Sequence, residues 1–562
     1  MSLIDSNSRF AVNPTNMRGV QRSKFDMSHT VKTTFNTGDL VPFDVIEVLP
    51  GDTFNLETNV LARLQTLITP LMDDMYLDTY YFFVPNRLTW EHWREFNGEN
   101  SKNAWYPTTT YTVPQITIKG NDDLKGSILD YMGIPTNNVS SNSNVSLSIN
   151  ALPVRAYNLI WNEWFRDQNL QDPVLVPLND ASVSYDKAIS SNGGALLKAN
   201  KYHDYFTSAL PSPQKGPDVT LPITSDGYLP VTTGTLTDNV SNEPILFKQI
   251  DGNPFDGKDY YVTLDSNSVE TYASLSIETN AAANPSVPKH IYPANLGVDL
   301  TNGNVNVATI NQLRLAFATQ QLYELDARGG TRYVEILKSH FGVTSPDARQ
   351  QRTELLAYNH TPISVNQVVQ QSGTNTTTAL GDVAGLSVTA DSDNSFVKSF
   401  TEHGFIIGLA CVRYRHSYQQ GINRMWSRQT RFDYYWPVFA NIGEQPVLNK
   451  EIYQDYSKEP NDVNDEVFGY QEAWAEYRYV PDRVSAEMRS DYPQSLDVWH
   501  LADDYETLPK LSNEWIQENS NTVNRVLAVS DNLSAQIFMD IYLKIEATRP
   551  MPMYSIPGLS RM

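Results

Sequence analysis

A mainly β chain, an eight-stranded antiparallel jelly roll with long helical and loop insertions, is what this sequence predicts, and three observations lead there. Strand-like segments occupy both ends of the 562 residues, so a sheet sandwich must be assembled from distant parts of the chain. Charged residues make up 19% and aromatic residues 11%, while Asn, Thr, Ser, Pro and Gly punctuate the whole length, as strands joined by elaborate loops require. Between the two strand-rich ends lie helices and one long acidic excursion, which reads as an insertion into a single large β domain.

Residues 1–34 show neither helical nor strand periodicity. Arg9, Arg18, Arg22, Lys24 and Lys32 face only Asp5 and Asp26, which predicts a basic, extended arm that either wraps over a neighbour or contacts nucleic acid. The jelly-roll domain is expected over 35–210 and 309–562. It opens with the alternating "LVPFDVIEV", turns at "LPGD", and continues into "MYLDTYYFFVP", an apolar run suited to a strand buried on both faces. A short helix is predicted in "NRLTWEHWREF", with Asn86 as N-cap and Trp90, Trp93 and Phe96 three apart. A second, "LPVRAYNLIWNEWFRDQ", places Tyr157, Ile160, Trp161, Trp164 and Phe165 on one stripe, a packing surface for a sheet or a subunit.

Residues 211–308 differ in character. From Gly216 to Ala308 there is no Arg, Trp, Met or Cys, and acidic residues outnumber Lys by eleven to three, which predicts a solvated, turn-rich β insertion. Within it "GNPFDGKDYY" has the glycine and lysine spacing of a phosphate loop. Asp259 stands where such a loop needs a hydroxyl, however, and "DYYVTLD" reads as strand instead of helix, so the stretch is predicted to be a hairpin tip below "PILFKQI". Thr309 and Gln312 form a capping-box pattern ahead of Leu315, Ala318, Leu322 and Leu325, which returns the chain to its main body. Ser345, Pro346 and Asp347 then predict a further helix start, and "QSGTNTTTALGDVAGLS" a connector. Near the end, "AQIFMDIYLKIEA" alternates Ile537, Met539, Ile541, Leu543 and Ile545 against Asp540, Lys544 and Glu546.

Little in the sequence supports catalysis, a metal or a cofactor. Cys411, the single cysteine, sits in the apolar "GFIIGLACVRYRH" and reads as a buried thiol; no disulfide within the chain is possible. The nine histidines form no ligand motif, Glu402 and His403 should point to opposite faces of a strand, and pairs such as Asp73–Asp74 and Asp503–Asp504 read as solvated turns. The N-terminus lacks a secretory pattern and no segment approaches membrane-spanning length, which predicts a protein made in a reducing cytoplasm. A formal net charge of −22 confines any polyanion contact to locally basic regions. One such region is "CVRYRHSYQQGINRMWSRQTRFDYYWP". It interleaves Arg413, Arg415, Arg424, Arg428 and Arg431 with rings that include Trp426 and Trp436, a composition shared by subunit interfaces and single-stranded nucleic-acid sites. An exported carbohydrate-binding or carbohydrate-cleaving β protein is the alternative for an acidic, aromatic-rich chain, and the missing signal sequence weighs against it.

The runs "SRFAVNPTNMRGVQRSKFDMSHTVKTTFNTGDLVPFDVIEVLPGDTF", "FFVPNRLTWEHWREFNGE", "QGINRMWSRQTRFDYYWP", "FGYQEAWAEYRYVPDRVSAEMRS" and "SLDVWHLADDY", in that order, closely resemble the major capsid proteins of gokushoviruses, small icosahedral single-stranded DNA bacteriophages of the Microviridae. The resemblance implies an eight-stranded jelly roll and sixty copies in a T = 1 shell around circular single-stranded DNA. It also implies that the acidic insertion forms three-fold projections presumed to meet a host cell-surface receptor. Implied companions are a DNA-pilot protein and internal scaffolding or DNA-binding virion proteins. On this basis Arg9, Arg18, Arg22 and Lys24 are expected at the DNA-facing interior, and the Arg413–Trp436 residues at an interface or inner wall. Asn253, Phe255, Asp256, Lys258 and Tyr260 are expected in the host-recognition insertion.

Overall fold

The computed structural model describes residues 21–99, 109–136, 145–219, 309–373, 379–457 and 463–554, and within 220–308 only short strand segments. The chain divides into two compact units, one made of Met1–Lys215 with Glu324–Met562 and the other of Gly216–Tyr323.

Two antiparallel sheets form the centre of the first unit. Strands β1 (Ser23–Asp26), β2 (His29–Phe35), β3 (Val41–Val48), β4 (Thr53–Leu64) and β5 (Met75–Pro85) come from the first part of the chain. The others, β6 (Glu354–Pro362), β7 (Thr389–Ser399), β8 (Gly404–Tyr414) and β9 (Ile537–Arg549), come from the last part. In one sheet β1 and β2 both pair with β9, which is followed by β4 and then β7; in the other the order is β6, β5, β8, β3. From β2 to β9 successive strands alternate between the sheets except at β5 and β6, which are neighbours in one sheet, so each sheet depends on pairings between remote segments, such as Val31 with Ile541 and Ile541 with Val60.

One hydrophobic cluster joins the sheets, with Leu56 and Leu543 on one side and Leu77, Ile406 and Val412 on the other, all essentially inaccessible to water. Leucine-to-alanine changes at such sites cost about 2–5 kcal/mol. On β9 the predicted alternation is realised: Ile537, Met539, Ile541, Leu543 and Ile545 are buried. The opposite face of β9 carries cross-strand ion pairs, Lys24–Glu546 at 2.7 Å and Lys544–Glu57 at 2.8 Å. The second sheet is covered on both faces, which is why β5 and β8 read as near-continuous apolar runs. In β8, Ile406, Ala410 and Val412 enter the intersheet core, while Phe405, Ile407, Leu409 and Cys411 meet helix α1 (Leu152–Ile160) through Leu152, Tyr157 and Ile160. Burial pushes the Cys411 thiol up to about 12, so it is an inert packing group.

Several local expectations are corrected. Residues 23–35, expected within an aperiodic arm, form β1 and β2, because β9 supplies the backbone partners that local sequence cannot reveal. The first predicted helix breaks into two single turns, Asn86–Thr89 and Trp93–Phe96, with Pro85 and not Asn86 at the first N-cap position. The break falls at Trp90, whose buried indole donates to Asp180 at 2.7 Å in an extended backbone conformation. The three rings still meet, with Trp90 and Phe96 centroids 5.4 Å apart. Beyond α1 the chain makes one wider turn, Trp161–Phe165, which places Trp164 and Phe165 at the margin of the same core. Ser345 does not cap the next turn, which starts from Pro346; its hydroxyl accepts from Gln350 at 2.9 Å. The predicted connector, 371–387, ends in a strand: Val383–Ser387 pairs with Val365–Val369 just before it.

In the second unit, Leu246–Gln249 pairs with Tyr260–Tyr261, Leu246 opposite Tyr261, as a hairpin would; the tip at 250–259 lies outside the described residues. Helix α2 (Ile310–Gly329) begins on the expected box, Thr309 N–H donating to Gln312 Oε1 at 2.8 Å and Gln312 N–H to Thr309 Oγ1 at 3.3 Å. Its Leu315 and Leu322 are exposed.

Candidate assembly and nucleic-acid surfaces

Arg413 ends the helix-facing row of β8 and Asp78 interrupts the apolar row of β5, and the strand register sets them diagonally opposite, Cys411 beside Asp78 and Arg413 beside Tyr76. The Asp78 carboxylate has no solvent exposure. It accepts from Arg413 Nε at 3.0 Å, from the hydroxyls of Tyr202 at 2.6 Å and Tyr358 at 3.1 Å, and pairs with His360 Nδ1 at 2.6 Å. Arg413 also lies over the Tyr202 ring at 4.1 Å and donates to the Tyr80 hydroxyl at 2.9 Å. Its guanidinium is thus engaged within the chain.

Arg415 is exposed and opens onto a 520 Å³ cavity that it shares with the carboxylates of Asp204 and Asp482. His416 turns inward. Its Nδ1 stands 3.1 Å from Asp503 and its Nε2 3.2 Å from Glu518, while Lys201 approaches Asp503 at 3.4 Å. Burial opposes protonation of His416, but the two carboxylates outweigh it and raise its pKa to about 9. Asp503 is pushed up by burial and down more strongly by His416 and Lys201, which hold it well below the usual carboxylate range. This corrects the reading of Asp503 as a solvated turn residue; of that pair, Asp504 alone is exposed. The cluster is sealed from solvent, so it ties three chain segments together and offers no opening for a substrate. Local sequence could not reveal it, because His416 meets partners 87 and 102 residues away. Glu402 and His403 also differ from expectation: they lie in a bend before β8, Glu402 pairing with Arg87 at 2.6 Å and His403 set edge-on to Trp93.

Past Gln420 the chain forms short turns on the surface. Arg424 donates to the Pro446 carbonyl at 3.0 Å, and Arg428 pairs with Glu476 at 3.2 Å under the Tyr477 ring, so both anchor the segment. Asn423 caps the turn at Met425, and the Trp436 indole donates to the Arg431 carbonyl at 2.9 Å. Held in this way, Trp426 is 72% exposed, Val438 88% and Trp436 50%, with Met425, Phe432, Tyr434 and Tyr435 also open to solvent and Arg431 exposed beside them. Large apolar side chains exposed together along one segment in this way mark a contact site.

Of the basic residues near the N-terminus, Arg22 donates to the Gly51 carbonyl and to Thr53 Oγ1 at 3.1 Å, and Lys24 is 59% exposed beside Glu546. Arg9 and Arg18 lie outside the described residues, as do Asn253, Phe255, Asp256 and Lys258; Tyr260 is described only as part of its strand. Among the described residues, no group of three His, Cys, Asp or Glu side chains could hold a metal ion, and no helix is long and apolar enough to cross a membrane.

The capsid protein (F protein) family matches residues 15–559. The chain is 40% identical to capsid protein VP1 of Chlamydia phage 1, over 99% of this chain and 98% of that protein. It is 41% identical to capsid protein VP1 of Bdellovibrio phage phiMH2K, covering 96% and 95% of the two chains. Against capsid protein VP1 of Spiroplasma virus 4 the identity is 41%, covering 97% and 96%.

Proposed function

This chain belongs to the capsid protein (F protein) family and is a major capsid protein of the gokushovirus type, a structural component of a virion; from that premise we propose how it builds its shell. Strands β2 to β9 form an eight-stranded jelly roll, a reading supported by their division into two four-stranded antiparallel sheets in the orders β2-β9-β4-β7 and β6-β5-β8-β3. Sixty copies close a T = 1 shell around circular single-stranded DNA. Acidic residues 211–308 form the three-fold projection that meets a host receptor, with 35–210 and 309–562 as the shell and 1–34 as a basic arm whose last residues, from His29 on, join the shell sheet in β2. The protein is made and assembled in the host cytoplasm, alongside DNA-pilot and internal DNA-binding or scaffolding proteins.

The observation that carries assembly is the exposed apolar surface from Met425 to Val438: it is held rigidly by Arg424 and Arg428 yet uncovered in a single chain. Arg415, Arg431, Trp426 and Trp436 are assigned to this contact or to the inner wall, whereas Arg424 and Arg428 anchor it from within and Arg413 is engaged with Asp78 at the sheet. The packaged polyanion requires positive charge on the inner surface of a chain whose net charge is −22. Arg9, Arg18, Arg22 and Lys24 are assigned that role. Arg22 and Lys24 retain partners that cost little to exchange, since exposed ion pairs contribute only about 0.2–1 kcal/mol. Particles carrying Arg18→Ala, Arg22→Ala and Lys24→Ala together should assemble but hold less DNA, read as a lower ratio of absorbance at 260 to 280 nm. Normally filled, equally stable particles would overturn the assignment.

A further inference from the structure

In the first unit, a cleft of about 830 Å³ opens beside the helix-facing row of β5. Tyr80 and Phe82 form one side, and Trp164 and Phe165, at the turn beyond α1, form the next. The rings are fixed by mutual packing, Phe165 edge-on to Tyr80 at 5.1 Å and Trp164 tilted against Phe82 at 5.4 Å. A third side is the segment from Arg328 to Arg332 together with Lys338 on helix α3 (Tyr333–Phe341).

Charge in this cleft runs against the acidity of the chain. Six lining residues are Lys or Arg and two are Asp or Glu. Four of the cations are already matched: Lys201 with Asp503, Arg413 with Asp78, Arg328 with Glu444 and Arg332 with Glu335. Arg166 and Lys338 are not; among the described residues neither has a carboxylate within ion-pair distance. Arg166 Nη1 donates to the Gln171 carbonyl at 2.9 Å, but its Nε is buried without any hydrogen-bond partner. Arg332 Nη2 donates to the Arg166 carbonyl, which brings a second guanidinium close, and burial together with that like charge lowers the Arg166 pKa. A buried, unsatisfied donor on a cation costs free energy unless an anion completes it.

We propose that this cleft binds a 2′-deoxynucleotide, its phosphate held by Arg166 and Lys338 and its base set against the Tyr80 and Phe165 rings. The ligand chemistry, one anion beside one flat apolar ring, is what single-stranded nucleic-acid sites combine. The inference rests on the reading that the shell encloses single-stranded DNA, and a nucleotide of that strand is the occupant. The volume suits one or two nucleotides, within the range of ordinary ligand pockets. The site would tether the strand at a fixed point on every subunit, independently of the N-terminal arm.

The test uses the full-length chain and a fluorescent oligodeoxythymidylate of about ten nucleotides. Its affinity is followed against salt, because each phosphate contact to a single strand adds about 0.7 to the slope of log K on log salt. Arg166→Gln with Lys338→Gln should weaken binding and lower that slope by about 1.4, two contacts at about 0.7 each, with the melting temperature kept as the folding control. Arg166→Lys should restore most of the slope, which a merely structural role would not do. A 5-bromodeoxyuridine strand should crosslink to peptides containing Tyr80 or Phe165. An unchanged slope with crosslinks elsewhere overturns the cleft assignment while leaving DNA enclosure intact; particles that contain no nucleic acid overturn enclosure and this inference with it. Thymidine monophosphate binding in place of the oligonucleotide would make a free nucleotide the occupant and overturn the tethering role.

Discussion

His416 shows how one side chain couples stability to pH. Flanked by Asp503 and Glu518 and tilted against the Tyr414 ring with centroids 4.2 Å apart, it gains a proton on folding at pH values where the unfolded chain would not hold one. Its pKa rises from 6.5 to about 9, so the stabilisation is complete below pH 6.5 and is lost as pH rises through 9. His29, raised to about 9 chiefly by its hydrogen bond to Asp44, adds to the same trend. The melting temperature should therefore fall between pH 6.5 and pH 9, and His416→Gln should flatten most of that fall. At pH 6 the substitution should destabilise by about 3–5 kcal/mol, the usual result of removing one partner from a buried charge cluster. A variant whose melting curve keeps the wild-type pH slope would refute the ion cluster.

β8 is the element on which most of the fold depends, since it pairs on both sides and contributes to two cores. Its central glycine is required by shape. A Cβ at Gly408 would stand 2.7 Å from Phe43 Cζ and 3.2 Å from Tyr81 Cε1, two rings already packed edge to face at 5.7 Å. Gly408→Ala should cost about 1–3 kcal/mol by overpacking. Combined with Phe43→Leu, part of that cost should be recovered, so the denaturant midpoints of the two single variants and the double variant should be non-additive. Strict additivity would mean that the rings move aside freely. The apolar alternation of β3 and β9 and the continuous apolar runs of β5 and β8 were legible because these patterns are written into adjacent residues. β1 and β2 were not: short, polar and at an edge, they are strands only because β9 lies beside them.

Across the whole protein, an exposed apolar surface and a net charge of −22 act together. Repulsion keeps dilute copies apart, and association must bury enough ring surface to overcome it; each fully buried large apolar side chain contributes about 1.5–3 kcal/mol. Trp426→Glu with Val438→Glu should leave the circular dichroism spectrum and melting temperature of the isolated chain unchanged. The same variant should sediment as subunits under conditions in which the wild type forms particles. Particles of normal size and yield from that variant would show that the surface lies outside the contacts.

Composition, strand periodicity and five conserved-order runs of residues were enough to anticipate a β sandwich built from both ends of the chain and its capsid family, because these signals are local or additive along the sequence. Local spacing also anticipated the Thr309 capping box and the buried thiol. The meeting of Arg413 with Asp78 across 335 residues, the enclosure of His416, and the gathering of Arg166, Lys338 and the Tyr80 and Phe165 rings around one cleft depend on register and on which loops close over which sheet. Such pairings have no periodicity of their own: they arise when distant segments align, and a single-residue slip would turn the strand residues Asp78, Tyr80 and Arg413 to the opposite face.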